Sequence, residues 1–292
     1  MRRARAFLNR RLLGLANSIY SALSMPAAVI FLFAGAPVHP AYRISWAERF
    51  RLALRMHRNT RRVFTGTSYK AHLAMAVKLL EIPPEVEGDV VECGCFLGGS
   101  TANLSLVCRL AGRKLIVYDS FEGMPPPRAG DRHALPDAEG KFRGGLEEVR
   151  ENVRRLGDPD RCTFIKGWFR DTLPRHESPI VLCYLDVDHQ ASLFDCIVNL
   201  WPHLTEQGLV FIDEYVYNDY CALFFSERFW REHFDTTPPG LLGAGTGVGL
   251  GDYFLGPESE LIRQLPGSVA YTRKDFRGDW SYYPDEREPV AG

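Results

Sequence analysis

Acid is almost absent from the first 70 residues, which hold twelve arginines and one lysine against a single carboxylate, Glu48. The formal charge of the whole chain is −1, so the acids crowd the remainder and a basic arm precedes an acidic body. No nucleic-acid-binding motif accompanies the arm, and an acidic body repels a phosphate backbone, so nucleic acid is not an expected partner. The cysteines (Cys93, Cys95, Cys108, Cys162, Cys183, Cys196 and Cys221) form no pair of CxxC units, which excludes a zinc ribbon. They are odd in number and several sit inside apolar runs, which points to buried thiols in a reducing compartment. Internal repeats and low-complexity tracts are missing too. The glycine-rich stretch 238–255 is followed by no phosphate-loop lysine, and we read it as backbone on the substrate side.

Apolar residues make up 46% of the chain, ample for a core, and 292 residues allow one large α/β domain with an appendage or two small domains. The organising stretch is 88–101, GDVVECGCFLGGST. Val90 and Val91 suit a buried parallel strand. Gly94, Gly98 and Gly99 permit a sharp turn and close approach of backbone to a ligand. Ser100 and Thr101 open a helix whose N-terminus favours anions. This reads as the first βα turn of a Rossmann-like half, with its ligand at the carboxyl end of the strand. A glycine turn that binds nothing is the plainer alternative.

Before it, five arginines precede an apolar run from Leu12 to about Pro37 that is interrupted by Asn17, Ser18, Ser21, Ser24 and Pro26. A crossing would place the body on the side away from a cytoplasmic cosubstrate. Residues 1–37 are therefore read as a peripheral membrane contact or as an arm packed on a partner subunit. Residues 46–64 form a basic amphipathic helix with Phe50, Leu54 and His57 or Arg58 on one face. A second helix follows within 65–84, packed by Leu73, Val77 and Leu80 and stopped by Pro83 and Pro84.

From Gly88 helices and strands alternate. Strands are expected at 88–93, 114–120, from 161, at 179–188, at 208–215 and at 268–273, with helices from about Gly99, in 144–160 and in 192–204. Asp119 ends the second strand about 25 residues after Gly94, where an acid suits the two hydroxyls of a ribose. Residues 121–142 are too rich in Pro, Gly and charge for an element; a loop of this length is commonly a lid, and His133 within it is a candidate base. The run YLDVD sets Asp186 and Asp188 on one side of its strand, and Asp213 and Glu214 end the next strand. In a parallel sheet these ends share a rim, where gathered carboxylates repel and a hard divalent cation relieves them.

The motifs GDVVECGCFLGGSTANLSL, YDSFEGMP, GGLEEVRENVRRLG, GWFRDTLP, YLDVD and VFIDEY, at these intervals over about 65–255, resemble the macrocin-type (TylF/MycF) sugar O-methyltransferases. The resemblance implies a class I S-adenosylmethionine-dependent methyltransferase: a Rossmann-like α/β fold with a seven-stranded, mostly parallel sheet, helices on both faces and an antiparallel last strand. It implies S-adenosylmethionine as cofactor, its methionine end at Glu92, Gly94, Gly98 and Ser100, its ribose at Asp119, its adenine near Ser120, Phe121, Gly167 and Trp168, and its carboxylate near Thr67, Ser68 and Tyr69. It implies Mg2+ or another hard divalent cation on Asp188, Asp213 and Glu214, which makes Asp188 a catalytic candidate; apart from the resemblance, His133 or His189 is the candidate base, with His133 preferred because lids close over substrate. This chain departs from the family at two places: Glu214 replaces an Asp, and the IDGD pattern reads VDHQ, so His189 and Gln190 replace its glycine and its second acid.

The expected organisation is an N-terminal extension, 1–64, and a methyltransferase domain, 65–292. The expected activity is O-methylation of a sugar or natural-product hydroxyl in the cytoplasm by a homo-oligomer, with possible membrane association through the arm. Two other readings compete: a catalytically weak cofactor-binding subunit of a membrane-associated assembly, and a nicotinamide oxidoreductase, which the lack of GxGxxG spacing in the turn disfavours.

Overall fold

The structure, a computed structural model, describes residues 38–128, 138–214, 218–243 and 269–275, the backbone of two short strands at 252–254 and 263–265, and five separate helical positions at Leu12, Leu15, Ile19, Leu23 and Pro26. Five parallel strands form the centre: β1 (Asp89–Cys93), β2 (Leu115–Asp119), β3 (Cys162–Lys166), β4 (Ile180–Leu185) and β5 (Leu204–Ile212). The two-residue edge strand β6 (Leu242–Gly243), the outlying antiparallel pair β7 (Asp252–Phe254) and β8 (Arg263–Leu265), and β9 (Ala270–Arg273) complete the strands. The main sheet runs β3-β2-β1-β4-β5-β9-β6, and β9 is antiparallel to both its neighbours. The expected Rossmann-like sheet is therefore present as six full strands and a two-residue edge.

β4 lies at the middle, and all six of its residues are buried, as a strand covered on both faces requires. The order reverses beside β1, between the outward-running β1-β2-β3 and β4-β5. In an open α/β sheet the crevice at the carboxyl edge of such a reversal is where ligands bind.

The helices are α1 (Trp46–Thr60), α2 (Tyr69–Glu81), α3 (Gly99–Ala111), α4 (Leu146–Leu156), α5 (Phe169–Thr172), α6 (Gln190–Leu200), α7 (Asn218–Cys221) and α8 (Glu227–Phe234). Glu48, the lone acid of the basic segment, closes a capping box at the start of α1: Ser45 N–H donates to its carboxylate at 2.8 Å, and Glu48 N–H donates to Ser45 Oγ at 3.3 Å. α1 is amphipathic as expected, and its inward face is wider than expected and shifted: Leu52, Ala53, Met56, His57 and Asn59 are buried and Leu54 is half-buried, whereas Phe50 is 44% exposed. The arginines interleave two apolar stripes, and packing on α2 and α3 selects the second. Leu52, Ala53 and Met56 join the same core as Leu73, Val90, Leu115 and Tyr184.

A buried polar clamp fastens these helices. Asn59 Nδ2 donates to Asn103 Oδ1 (2.9 Å) and to Leu156 O (3.1 Å), while Asn103 Nδ2 donates to Met56 O (3.4 Å) and contacts His72 Nδ1 (2.8 Å). Because the amide nitrogen donates, His72 Nδ1 must accept, and the ring is neutral with its proton on Nε2. Burial depresses the His72 pKa to about 3. The folded pKa lies below the unfolded value of 6.5, so the unfolded state takes up the proton first as pH falls, and the stability His72 contributes is lost from about pH 6.5 downward. The difference in unfolding free energy between wild type and His72→Gln should narrow by about 2 kcal/mol from pH 6.5 to pH 5, at roughly 1.4 kcal/mol per pH unit. Urea titrations at both pH values test this, and a constant difference would rule out a neutral buried ring.

Candidate active site

Three turns meet at the carboxyl edge of the sheet. After β1 the chain turns at Gly94 (φ 84°), and an added Cβ there would lie 1.8 Å from Asp186 O; only glycine permits so close an approach. Gly98 (φ 78°) precedes α3 and supplies no side-chain cap, so the first N–H groups of that helix receive none from it. Glu92 and Ser100 bond to each other at 2.5 Å inside the turn. Glu92 is completely buried, and burial raises its pKa to about 8 against the opposing hydrogen bonds of Ser100 and Thr101. A carboxyl group held in this way is neutral at pH 7 and can either donate to or accept from a ligand.

Asp119 ends β2 and joins the first two turns. Its Oδ2 accepts from Cys95 N–H (2.8 Å) and its Oδ1 from Phe121 N–H (2.6 Å). Ser120 Oγ donates to Gly123 O at 3.0 Å, fixing the turn that carries the buried Phe121 (φ 56°). After β3, Gly167 N–H donates to Asp119 O at 2.9 Å, which brings Gly167 and Trp168 beside the same strand end. The structure thus gathers Glu92, Gly94, Gly98, Ser100, Asp119, Ser120, Phe121, Gly167 and Trp168 around the ends of β1, β2 and β3.

Thr67, Ser68 and Tyr69 divide. Ser68 caps α2, with its Oγ accepting from Ala71 N–H at 3.4 Å. Tyr69 packs edge-on against the His57 ring, 4.8 Å between centroids. Thr67 turns its hydroxyl toward the acids, 2.6 Å from Tyr184 Oη and 3.2 Å from Asp213 Oδ1.

The acid rim differs from the expectation in one member. Asp186, Asp188 and Glu214 have carboxylate oxygens within 4.8 Å of one another, whereas Asp213 lies outside this group and faces Thr67 and Tyr184. Strand alternation does not bring Asp186 and Asp188 together, because β4 ends at Leu185. The turn beyond it does, with Asp188 in the left-handed region (φ 56°) and its N–H donating to Glu214 Oε1 at 3.2 Å. Burial is the main cause that raises every member: Asp186 to about 8 with Asp213 adding to it, Asp188 to about 7 with Asp186 adding to it, and Glu214 well above the usual range.

Asp186 joins the rim although the resemblance does not name it among the metal acids; its two-residue spacing from both Tyr184 and Asp188 is the sequence signal for it. Gln190, in place of a second acid, is tied elsewhere, its Nε2 donating to Asp219 O at 2.6 Å. His189 is buried at the start of α6. His133 lies outside the described residues. The ends of its loop do meet: Met124 N–H donates to Lys141 O and Gly140 N–H to Met124 O, both at 3.0 Å, and Arg128 clasps the Asp195 carboxylate of α6 with both terminal nitrogens.

The Macrocin-O-methyltransferase (TylF) family model matches residues 60–239. The chain belongs to this family. An 8-demethyl-8-(2,3-dimethoxy-alpha-L-rhamnosyl)-tetracenomycin-C 4'-O-methyltransferase from Streptomyces olivaceus is 40% identical over 141 residues, 44% of this chain and 54% of that protein. The alignment thus spans about half the length of that relative. A demethyldecarbamoylnovobiocin O-methyltransferase from Streptomyces niveus is 31% identical over 215 residues, 67% of this chain and 80% of that one. Among solved structures, the O-methyltransferase NovP superposes with a TM-score of 0.53 at 24% identity, covering 87% of this chain and 99% of that one, which shows a shared fold. Most of α1 and everything before it precede the matched residues.

Proposed function

We propose that this macrocin-family chain methylates a hydroxyl of a sugar or glycosylated natural product, using S-adenosylmethionine and a hard divalent cation such as Mg2+. The observation that carries the reading is the meeting, at one sheet edge, of the Gly94 turn, Asp119 and the acid rim, with Asp186 O against Gly94. The residues fit both groups. Glu92 is a buried carboxyl group in the cofactor turn, and the buried Glu214 stands with Asp186 and Asp188 in a cluster whose oxygens lie within 4.8 Å of one another, as a cation's ligands do.

Bound S-adenosylmethionine would supply a methyl group already activated by its sulfonium. A divalent cation would supply positive charge that lowers the pKa of a coordinated hydroxyl. The chain must then position and enclose. Asp119 receives the ribose hydroxyls, Glu92 and the turn through Gly98 and Ser100 hold the methionine end, and Phe121 and Trp168 flank the base. Asp188 and Glu214 would hold the cation. The loop 121–142 excludes water, and His133 takes the proton of the acceptor hydroxyl; His189, with its ring buried, is the less accessible base. A reducing cytoplasm suits seven free thiols, six of them buried. A homo-oligomer and a peripheral membrane contact through residues 1–37 belong to the same proposal; among the described residues no helix is long and apolar enough to cross a membrane.

The relative named for a rhamnosyl tetracenomycin suggests a glycosidic deoxysugar as acceptor. Methyl-labelled S-adenosylmethionine offered with a panel of rhamnosylated polyketides and simple catechols tests the class. Label on the sugar is expected. Label confined to catechols would reassign the acceptor, and no transfer to any compound, despite cofactor binding, would favour a non-catalytic binding subunit. Asp119→Ala should weaken S-adenosylhomocysteine at least about tenfold, since hydrogen bonds to a charged group contribute about 1.5–3 kcal/mol. Unchanged affinity in a calorimetric titration would remove the ribose assignment.

A further inference from the structure

We propose that the outward face of α1 is a docking surface for an anionic lipid bilayer, and that its arginines hold the protein there together with the apolar arm. The inference deepens the peripheral-contact reading given above for residues 1–37 and does not depend on the methyltransferase chemistry.

Uncompensated charge is the first support. Arg51, Arg55 and Arg58 recur at i, i+4 and i+7 down one side of α1, and Arg61 and Arg62 follow in the turn beyond it; all five are exposed. Among the described residues none of the five forms an ion pair; Arg51 and Arg55 bond to backbone carbonyls, Ala47 O at 3.1 Å and Leu156 O at 3.3 Å. Arginines elsewhere on the surface are matched by acids: Arg128 by Asp195, Arg154 by Glu151 and Arg228 by Glu232. Glu48, the lone acid of the segment, is engaged in its capping box with Ser45. Like charges at this helical spacing repel one another, and an anionic surface relieves them.

The second support is what accompanies the charge. Trp46 is 67% and Phe50 44% exposed on the same helix. Ahead of it in the chain, Leu12, Leu15, Ile19 and Leu23 are helical, each at least 50% exposed, and spaced as one face of a helix. Arginine beside tryptophan, phenylalanine and leucine is the composition of a helix that lies in a membrane interface, its apolar groups in the headgroup boundary and its guanidinium groups on lipid phosphates. A nucleic-acid backbone would engage the arginines and leave the apolar stripe in water. A second copy of the chain, meeting α1 with α1 about a two-fold axis, would set arginine against arginine. An anionic bilayer takes both features at once. α1 through Asn59 precedes the residues matched by the family model, so most of this face is carried outside the shared methyltransferase unit.

Flotation of the full-length protein with vesicles tests the inference, using phosphatidylcholine alone and phosphatidylcholine mixed with an equal part of phosphatidylglycerol. Binding to the mixed vesicles only, weakening as salt is added, is expected. The combined variant Arg51→Gln, Arg58→Gln and Arg61→Gln should bind the mixed vesicles at least about tenfold more weakly, since one basic residue near an anionic surface contributes about fivefold. Its urea unfolding should match wild type; if it does not fold, Arg58→Gln alone should weaken binding about threefold or more. The variant Leu15→Ser with Ile19→Ser reads the arm separately. Mixed-vesicle binding that survives the arginine substitutions and is lost with the leucine and isoleucine substitutions would overturn the role of α1 and leave the arm contact standing. Equal binding to both kinds of vesicle would overturn the anionic preference, and no binding of the folded full-length protein to either would overturn both.

Discussion

Asp188→Asn should lower kcat by about three orders of magnitude and leave S-adenosylhomocysteine affinity within about threefold of wild type, the size of loss seen when a preorganised electrostatic group is removed from a reacting centre. Asparagine suits the test for two reasons. Asp188 occupies the left-handed region at φ 56°, which asparagine tolerates better than alanine. Asparagine also keeps the shape of the side chain while removing the charge that faces Asp186 and Glu214. The cofactor turn lies across Gly94 and Asp119, and the Asp188 side chain makes no hydrogen bond in it among the described residues. Kinetics and calorimetry on the same preparation separate the two effects. Full activity in the presence of a chelator would remove the cation from the mechanism, and loss of cofactor binding in parallel with kcat would show that Asp188 holds the fold and not the acceptor side.

Gly94→Ala should destabilise the protein by about 4 kcal/mol or more, beyond the usual range for a single substitution. Two costs add. The backbone at φ 84° disfavours any residue with a Cβ, and that Cβ would sit 1.8 Å from Asp186 O, a backbone atom that cannot swing aside. Relief requires β1 and β4 to move apart at their carboxyl ends, where Asp186 N–H donates to Cys93 O at 2.9 Å. The turn that receives the cofactor and the strand end that carries the acid rim would be displaced together. Urea unfolding should show the stability loss, and any folded fraction should bind S-adenosylhomocysteine weakly. A variant with near wild-type stability and affinity would show that the two strand ends are not held in this close register.

Much of this arrangement is legible before the structure. Buried parallel strands are continuous apolar runs, so β1 and β4 stand out in Val90–Val91 and in IVLCYL. The acids at the strand ends follow from the strand order. Side-chain direction does not. The alternation in YLDVD predicts that Asp186 and Asp188 share a face, and they do come together, but through a turn beyond the strand with Asp188 at positive φ. The same limitation hides Asp213, whose neighbours Thr67 and Tyr184 come from distant parts of the chain. On α1, the stripe through Phe50, Leu54 and His57 predicts the inward face in part: His57 is buried and Leu54 half-buried, but Leu52, Ala53 and Met56 join the core and Phe50 does not, which packing against distant residues such as Asn103 and Leu156 decides. The edge strand Leu242–Gly243 is invisible because its sequence is a glycine-rich stretch and its pairing with Ala270 and Tyr271 is entirely non-local.

Isothermal titration of the full-length protein with S-adenosylhomocysteine, with and without Mg2+, tests the central claim most directly. A saturable heat from the cofactor product, and a further Mg2+-dependent heat that Asp188→Asn removes, are the predicted results. Folded protein that gives no heat with S-adenosylhomocysteine would contradict the methyltransferase reading, and cofactor binding with no response to Mg2+ would contradict the role given to the acid rim.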